Sequence, residues 1–138
     1  MDVTAALDAP CTPVQLFAVV EDLGRYPEWL DIVARAVPNG DGAWAVDLRG
    51  RLGPLAKMKR LRMVRAVHEP PSSVRFDREE LDGRSHSPWR LSADVEPGPA
   101  GSRLTMHLHY GGGLFGPVLE RMLGDEIERS KPRLLALL

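Results

Sequence analysis

Hydrophobic and polar positions alternate along most of this chain, and only two regions shift to helical spacing. Val3, Ala5 and Leu7 fall on one side of an extended stretch and Thr4, Ala6 and Asp8 on the other, which predicts a first strand stopped by Pro10. Thr12 before Pro13 is an N-cap and first-turn pairing. Val14, Leu16, Phe17, Val20 and Leu23 then form an apolar stripe, predicting a short helix that ends near Gly24. Tyr26-Pro27-Glu28-Trp29-Leu30 places Pro27 at a first helical position and predicts a second short helix. From Val33 the chain reads as strands broken at PNGDG, Gly53-Pro54, EPPSS, LDG and EPGPAGS. Connections this short predict antiparallel pairing of consecutive strands.

The strand faces can be assigned from this alternation. Trp44, Val46 and Leu48 share one face; so do Leu61, Met63 and Val67, with Arg65 in the same register. Arg78 follows Val74 and Phe76; Trp89 and Leu91 precede Ala93 and Val95; Leu104, Met106, Leu108 and Tyr110 oppose Arg103, Thr105, His107 and His109. Beyond the glycines, Val118, Leu119, Met122, Leu123, Ile127, Leu134 and Leu138 recur at helical spacing, so the chain closes on a long helix that Pro132 either kinks or divides. The predicted fold class is α+β, a single domain over 1–138. A curved antiparallel sheet of about seven strands wraps around the C-terminal helix, with two short helices after the first strand. One helix about 10 Å wide cannot fill the concavity of a twisted sheet, so a cavity is expected between sheet and helix.

With 18 basic and 19 acidic residues the chain carries a formal charge of -1, which supplies no global field for nucleic acid or an anionic membrane. Cys11 is the single cysteine, which excludes an intramolecular disulfide and fits a reducing compartment. MDVTAALDAP lacks the basic flank and apolar core of a signal peptide, and no stretch approaches the roughly 18 apolar residues of a span. These features predict a cytoplasmic protein with no nucleic-acid partner and no stable membrane insertion. They leave the oligomeric state open.

The order of elements, more than any one motif, resembles a known family. APCTPVQLFAVVEDLGRYPEWL after the opening strand, the strand pair VRAVHEPPSSVRF, Trp89-x-Leu91, and SRLTMHLHY running through glycines into GPVLERML are together similar to the START-like superfamily, also called SRPBCC or polyketide cyclase and dehydrase proteins. The resemblance covers nearly the whole chain. It implies the helix-grip fold of the birch-pollen allergen and a hydrophobic pocket for lipids, sterols, polyketides or similar molecules; some members carry or sense ligands, and others catalyse aromatisation or cyclisation. The expected pocket lining is Trp29 from the short helices, Val46, Leu48, Leu61, Met63 and Arg65 from two strands, and Phe76 and Arg78 from the next. Trp89, Leu91, Met106, Leu108 and Tyr110 extend it, and Leu114, Phe115, Val118 and Met122 close it from the helix side.

The chemical candidates are few. His107 and His109, at i and i+2, could supply two metal ligands, but no third stands at a telling spacing, so a solvated strand face is the simpler reading and neither metal nor cofactor is expected. His68 and His86 read as surface residues beside turns. The run Lys57, Lys59, Arg60, Arg62 and Arg65 lacks interleaved aromatic platforms and reads as an exposed strand whose charges discourage edge pairing. Arg65 and Arg78 would point inward, where each either orients a ligand anion or reaches water or a carboxylate such as Glu79 or Glu80. Tyr110 could offer a hydroxyl to a ligand or simply pack, and Tyr26 and Trp29 could frame the entrance or staple the helix pair.

Gly111, Gly113 and Gly116 match GxGxxG spacing, yet no parallel strand or acidic residue follows, so they read as a reversal that lets the last helix cross the sheet. No nucleophile and base stand at motif spacing, and no catalytic residue is assigned. The leading expectation is non-enzymatic binding or transport of a small hydrophobic or amphipathic molecule. The alternatives are a polyketide cyclase, aromatase or dehydrase using Arg65, Arg78, Tyr110 and Ser87, and a regulatory or toxin-like interaction protein.

Overall fold

Local signals set the first corner. Thr12 accepts from the Gln15 backbone N–H at 3.2 Å while the Gln15 side chain accepts from the Thr12 N–H at 2.9 Å, a reciprocal cap with Pro13 at the first position. The computed structural model describes residues 1–49, 58–111 and 116–138, without the side chains of 58 and 116–119. Strand β1 (Asp2–Ala9) leads into helix α1 (Pro13–Val20), followed by a 3₁₀ helix at Leu23–Glu28. The second helix therefore starts earlier than Pro27 predicts. Asp22 is its cap, accepting from the Gly24 N–H at 2.8 Å, and Pro27 lies inside it near its end. The sequence reading missed that Asp-x-Gly cap.

Strands β2 (Val33–Pro38), β3 (Ala43–Arg49), β4 (Met58–Glu69), β5 (Ser73–Arg78), β6 (Trp89–Gly98) and β7 (Gly101–Tyr110) form an antiparallel meander, and helix α2 (Gly116–Leu135) runs through Pro132. The predicted Gly53-Pro54 break lies outside the described residues. The seven-stranded order is β1-β7-β6-β5-β4-β3-β2, a curled half-barrel whose edges are β1 and β2, gripping α2: the α+β helix-grip arrangement.

Two expectations about β4 are corrected. It is an interior strand, so its charges do not guard an edge; Arg60 instead makes a forked pair with Asp47 on β3, at 2.7 and 3.1 Å. Its alternation also breaks, because the register with β5 shifts between Arg65 and Val67. The bulge pairs Val67 with Arg75 and brings His68 opposite Val74 instead. His68 stacks over Phe17 at 6.0 Å and approaches Glu21 at 3.2 Å, tying the sheet to the end of α1.

The core is dominated by one aromatic group. Tyr26 is fully buried, with Trp29 4.7 Å and Phe76 6.1 Å away between ring centroids, and Trp44 stands edge-on to Phe76 at 5.6 Å. The Tyr26 hydroxyl donates to the Val20 carbonyl at 2.8 Å, and burial, with the Asp22 charge, raises its pKa above the ordinary phenol value. At the far end of the sheet, Ser102 donates through Oγ to the Cys11 carbonyl at 2.5 Å. Gly101 beside it has φ +133°, and a Cβ there would lie 2.6 Å from that same carbonyl oxygen. Gly101→Ala is expected to cost about 2 kcal/mol or more through backbone strain and this clash, read as a lower midpoint in urea unfolding.

Candidate functional site

Two helices share the concave face unequally. The Tyr26, Trp29, Phe76 and Trp44 rings fill the β3–β5 half solidly, together with Val46, Leu61 and Met63. α2 covers β1 and reaches over part of β7 and β6, strands on which α1 also packs, and beneath α2 a cavity of about 100 Å³ remains. Its floor is the inward row of β1 (Val3, Ala5, Leu7) and its partners on β7 (Leu104, Met106, Leu108) with Leu91 of β6. Trp29, Leu30 and Ile32 close one side, and α2 roofs it with Leu123, Glu126, Ile127, Ser130, Lys131 and Leu134. This lining is almost wholly hydrocarbon. Trp29 Nε1 and one Glu126 carboxylate oxygen are buried without hydrogen-bond partners; the other Glu126 oxygen accepts from Arg129.

Of the residues expected to line a pocket, Trp29, Leu91, Met106 and Leu108 border this cavity. Val46, Leu61, Met63 and Phe76 belong to the filled half, and Leu48 packs on its margin. Met122 is half-buried on α2 and does not border the cavity. Leu114, Phe115 and the Val118 side chain lie outside the described residues, as does Lys57. The β1 row and the α2 residues from Leu123 onward are additions. The first was visible as alternation, but only the β1–β7 pairing brings it beside Met106.

The inward arginines are both engaged. Arg65 donates to the Glu21 carbonyl at 3.1 Å, capping α1, and its guanidinium lies 5.6 Å from the Trp44 centroid. Arg78, with a side chain 9% exposed, pairs with Glu80 at 3.0 Å and donates to the Ser87 carbonyl at 3.3 Å. Burial pushes the Glu80 carboxyl up, but the Arg62 N–H and Arg78 guanidinium outweigh it and hold the pKa below the ordinary glutamate value. The Trp89 and Tyr110 rings lie tilted against each other with centroids 4.5 Å apart, two residues along the strands from Leu91 and Leu108.

On the outer face, His107 and His109 both contact Asp2 Oδ1, at 2.9 and 3.0 Å; the hydrogen bond of His109, then that of His107, lowers the Asp2 pKa. His86 contacts Asp82 at 2.8 Å in the β5–β6 loop. Among the described residues no three His, Cys, Asp or Glu side chains converge as a metal site, and no helix is long and apolar enough to cross a membrane. Gly111 donates to the Pro88 carbonyl at 3.0 Å, and a Cβ there would lie 2.4 Å from Pro88 Cγ, so this glycine serves close approach at the end of β7. Gly113 lies outside the described residues.

The family model described as polyketide cyclase / dehydrase and lipid transport matches residues 1–137. A crystal structure of a Deinococcus radiodurans protein is similar with a TM-score of 0.74 at 17% identity, covering 100% of both chains. A START superfamily protein from Mycobacterium smegmatis gives 0.71 at 14% identity, over 98% of this chain and 94% of that one. The di-domain ARO/CYC StfQ from the steffimycin biosynthetic pathway gives 0.72 at 16% identity, over 99% of this chain and 50% of StfQ. No curated protein sequence matches the chain.

Two outcomes are expected. Ala5→Leu extends a side chain into the cavity and stabilises the fold by about 0.5–2 kcal/mol, measured by urea unfolding. Glu80 has its folded pKa depressed, so its contribution is present above the ordinary glutamate pKa and is lost as pH falls through the folded value. Glu80→Gln therefore flattens the acid limb of the stability–pH curve, and an unchanged limb would count against the Arg78 pairing.

Proposed function

Because the chain belongs to the polyketide cyclase, dehydrase and lipid-transport family, we propose that it binds a small hydrophobic or amphipathic molecule between β1, β7, β6 and α2. The observation that carries this reading is the apolar cavity of about 100 Å³. A dry apolar cavity of roughly 150 Å³ accepts benzene, so this smaller one suits a short alkyl segment, or a ring if its walls give way slightly. A longer ligand would have to leave it along the strands. Val95 and Ala93 of β6 are buried, whereas Leu91 and Trp89 are only half-buried, so the concave face opens toward the start of β6 and the end of β7.

Binding is favoured over cyclisation by the placement of the polar groups. Arg65, Arg78, Tyr110 and Ser87 do not border the cavity, and both guanidiniums already have protein partners. Of the polar residues that do border it, Ser130 donates to the Ile127 carbonyl and Lys131 pairs with Glu128, which leaves the Glu126 carboxylate to polarise a substrate among hydrocarbon. Titration with toluene and 1-octanol, followed by amide NMR, is expected to shift Leu91, Met106, Leu108 and Leu123. The shifts should vanish in Ala5→Leu. Absence of shifts from both probes in the wild-type protein would overturn the reading.

A further inference from the structure

At the half-buried end of the concave face stands an exposed cation, Lys59, with no counter-charge among the described residues. Lys59, two positions before Leu61 on β4, places Nζ 5.8 Å from the Trp89 centroid and 5.7 Å from that of Tyr110. Arg78, although paired with Glu80, is close enough to add to the local positive potential. Among the described residues Lys59 has no hydrogen bond or ion pair, only the two ring faces. Trp89 Nε1, a donor and never an acceptor, is buried beside it with no partner. Burial first, then the Arg78 charge, lowers the Lys59 pKa, as befits an ammonium without an anion nearby.

The position matters as much as the charge. Trp89 pairs with Tyr110, and Leu91 with Leu108, so the aromatic row lies two residues, or about 7 Å, beyond the cavity floor on the same faces. Hydrocarbon thus grades into an aromatic ledge, over which Lys59 reaches from β4. That order matches an amphiphile with its charge at one end. A phosphate dianion would call for more free donors, and the guanidinium fork that could supply them is occupied by Glu80.

We propose that Lys59, Trp89 and Tyr110 form a head-group subsite for a carboxylate whose short apolar body occupies the cavity. The carboxylate accepts from Lys59 Nζ, and the start of the apolar body lies against the ring pair. The inference rests on the cavity-binding reading, and the following comparison separates the two. Calorimetric titration with octanoate and 1-octanol at low ionic strength is expected to give octanoate an advantage of about ten-fold in Kd, shrinking as salt is added. In Lys59→Met, and equally in Lys59→Gln, that ratio should fall to about one. Trp89→Phe, which keeps a ring and removes the N–H, should give an intermediate ratio. Equal affinities in the wild-type protein, or a ratio that survives Lys59→Met in a variant with unaltered circular dichroism, would overturn the head-group subsite while leaving cavity binding intact. Failure of both probes to bind would overturn both.

Discussion

Everything in this fold turns on how a half-barrel wider than any one helix is filled. The seven strands curl into a concavity, and two unequal plugs share it. Tyr26 is the centre of the first, and its position is set by a single buried hydrogen bond to the Val20 carbonyl, one of the acceptors left at the end of α1. That bond satisfies a helix end and a phenol together, so the ring can sit at the bottom of the core without a buried unpaired oxygen. With Tyr26 in place, Trp29, Phe76 and Trp44 gather around it and the β3–β5 half becomes solid.

The remaining half has a different solution. Leu123, Ile127 and Leu134 of α2 face the cavity over the β1–β7 rows, and small side chains below them, Ala5 above all, leave space that their neighbours do not close. A void with hydrocarbon walls holds water poorly, since few polar atoms reach it. It also forgoes dispersion contacts that a tighter core would make. The fold tolerates that loss because the aromatic half and the antiparallel ladder carry the packing elsewhere.

Much of the architecture was legible because a period of two is hard to mistake over six strands, and turn residues punctuated it at short intervals. The faces of β3, β6 and β7 follow from alternation alone. What alternation cannot express is an extra residue: the bulge after Arg65 reverses the face of Val67 and His68 with no glycine or proline to announce it. Nor does it separate filled core from cavity wall. Leu61 and Leu108 read identically in sequence, yet one meets the aromatic cluster and the other meets empty space, because the difference is made by which helix lies overhead. The same limit applied to Arg65, whose partner is a backbone carbonyl just past the end of α1 that no side-chain motif could have named.

Charge placement on the inner face follows from the same division. At the filled end an inward arginine is tolerable only because the end of α1 offers a carbonyl and Trp44 a ring. At the open end Arg78 needs Glu80, itself held by the Arg62 N–H. Arg65 and Arg78 therefore each come with an acceptor, which is what desolvation demands. Lys59 departs from that pattern, and it does so where solvent still reaches and two aromatic rings supply a weaker, non-ionic partner. A ring face attracts a cation without neutralising it, so a ligand anion arriving there would add to the interaction rather than compete with an existing salt bridge.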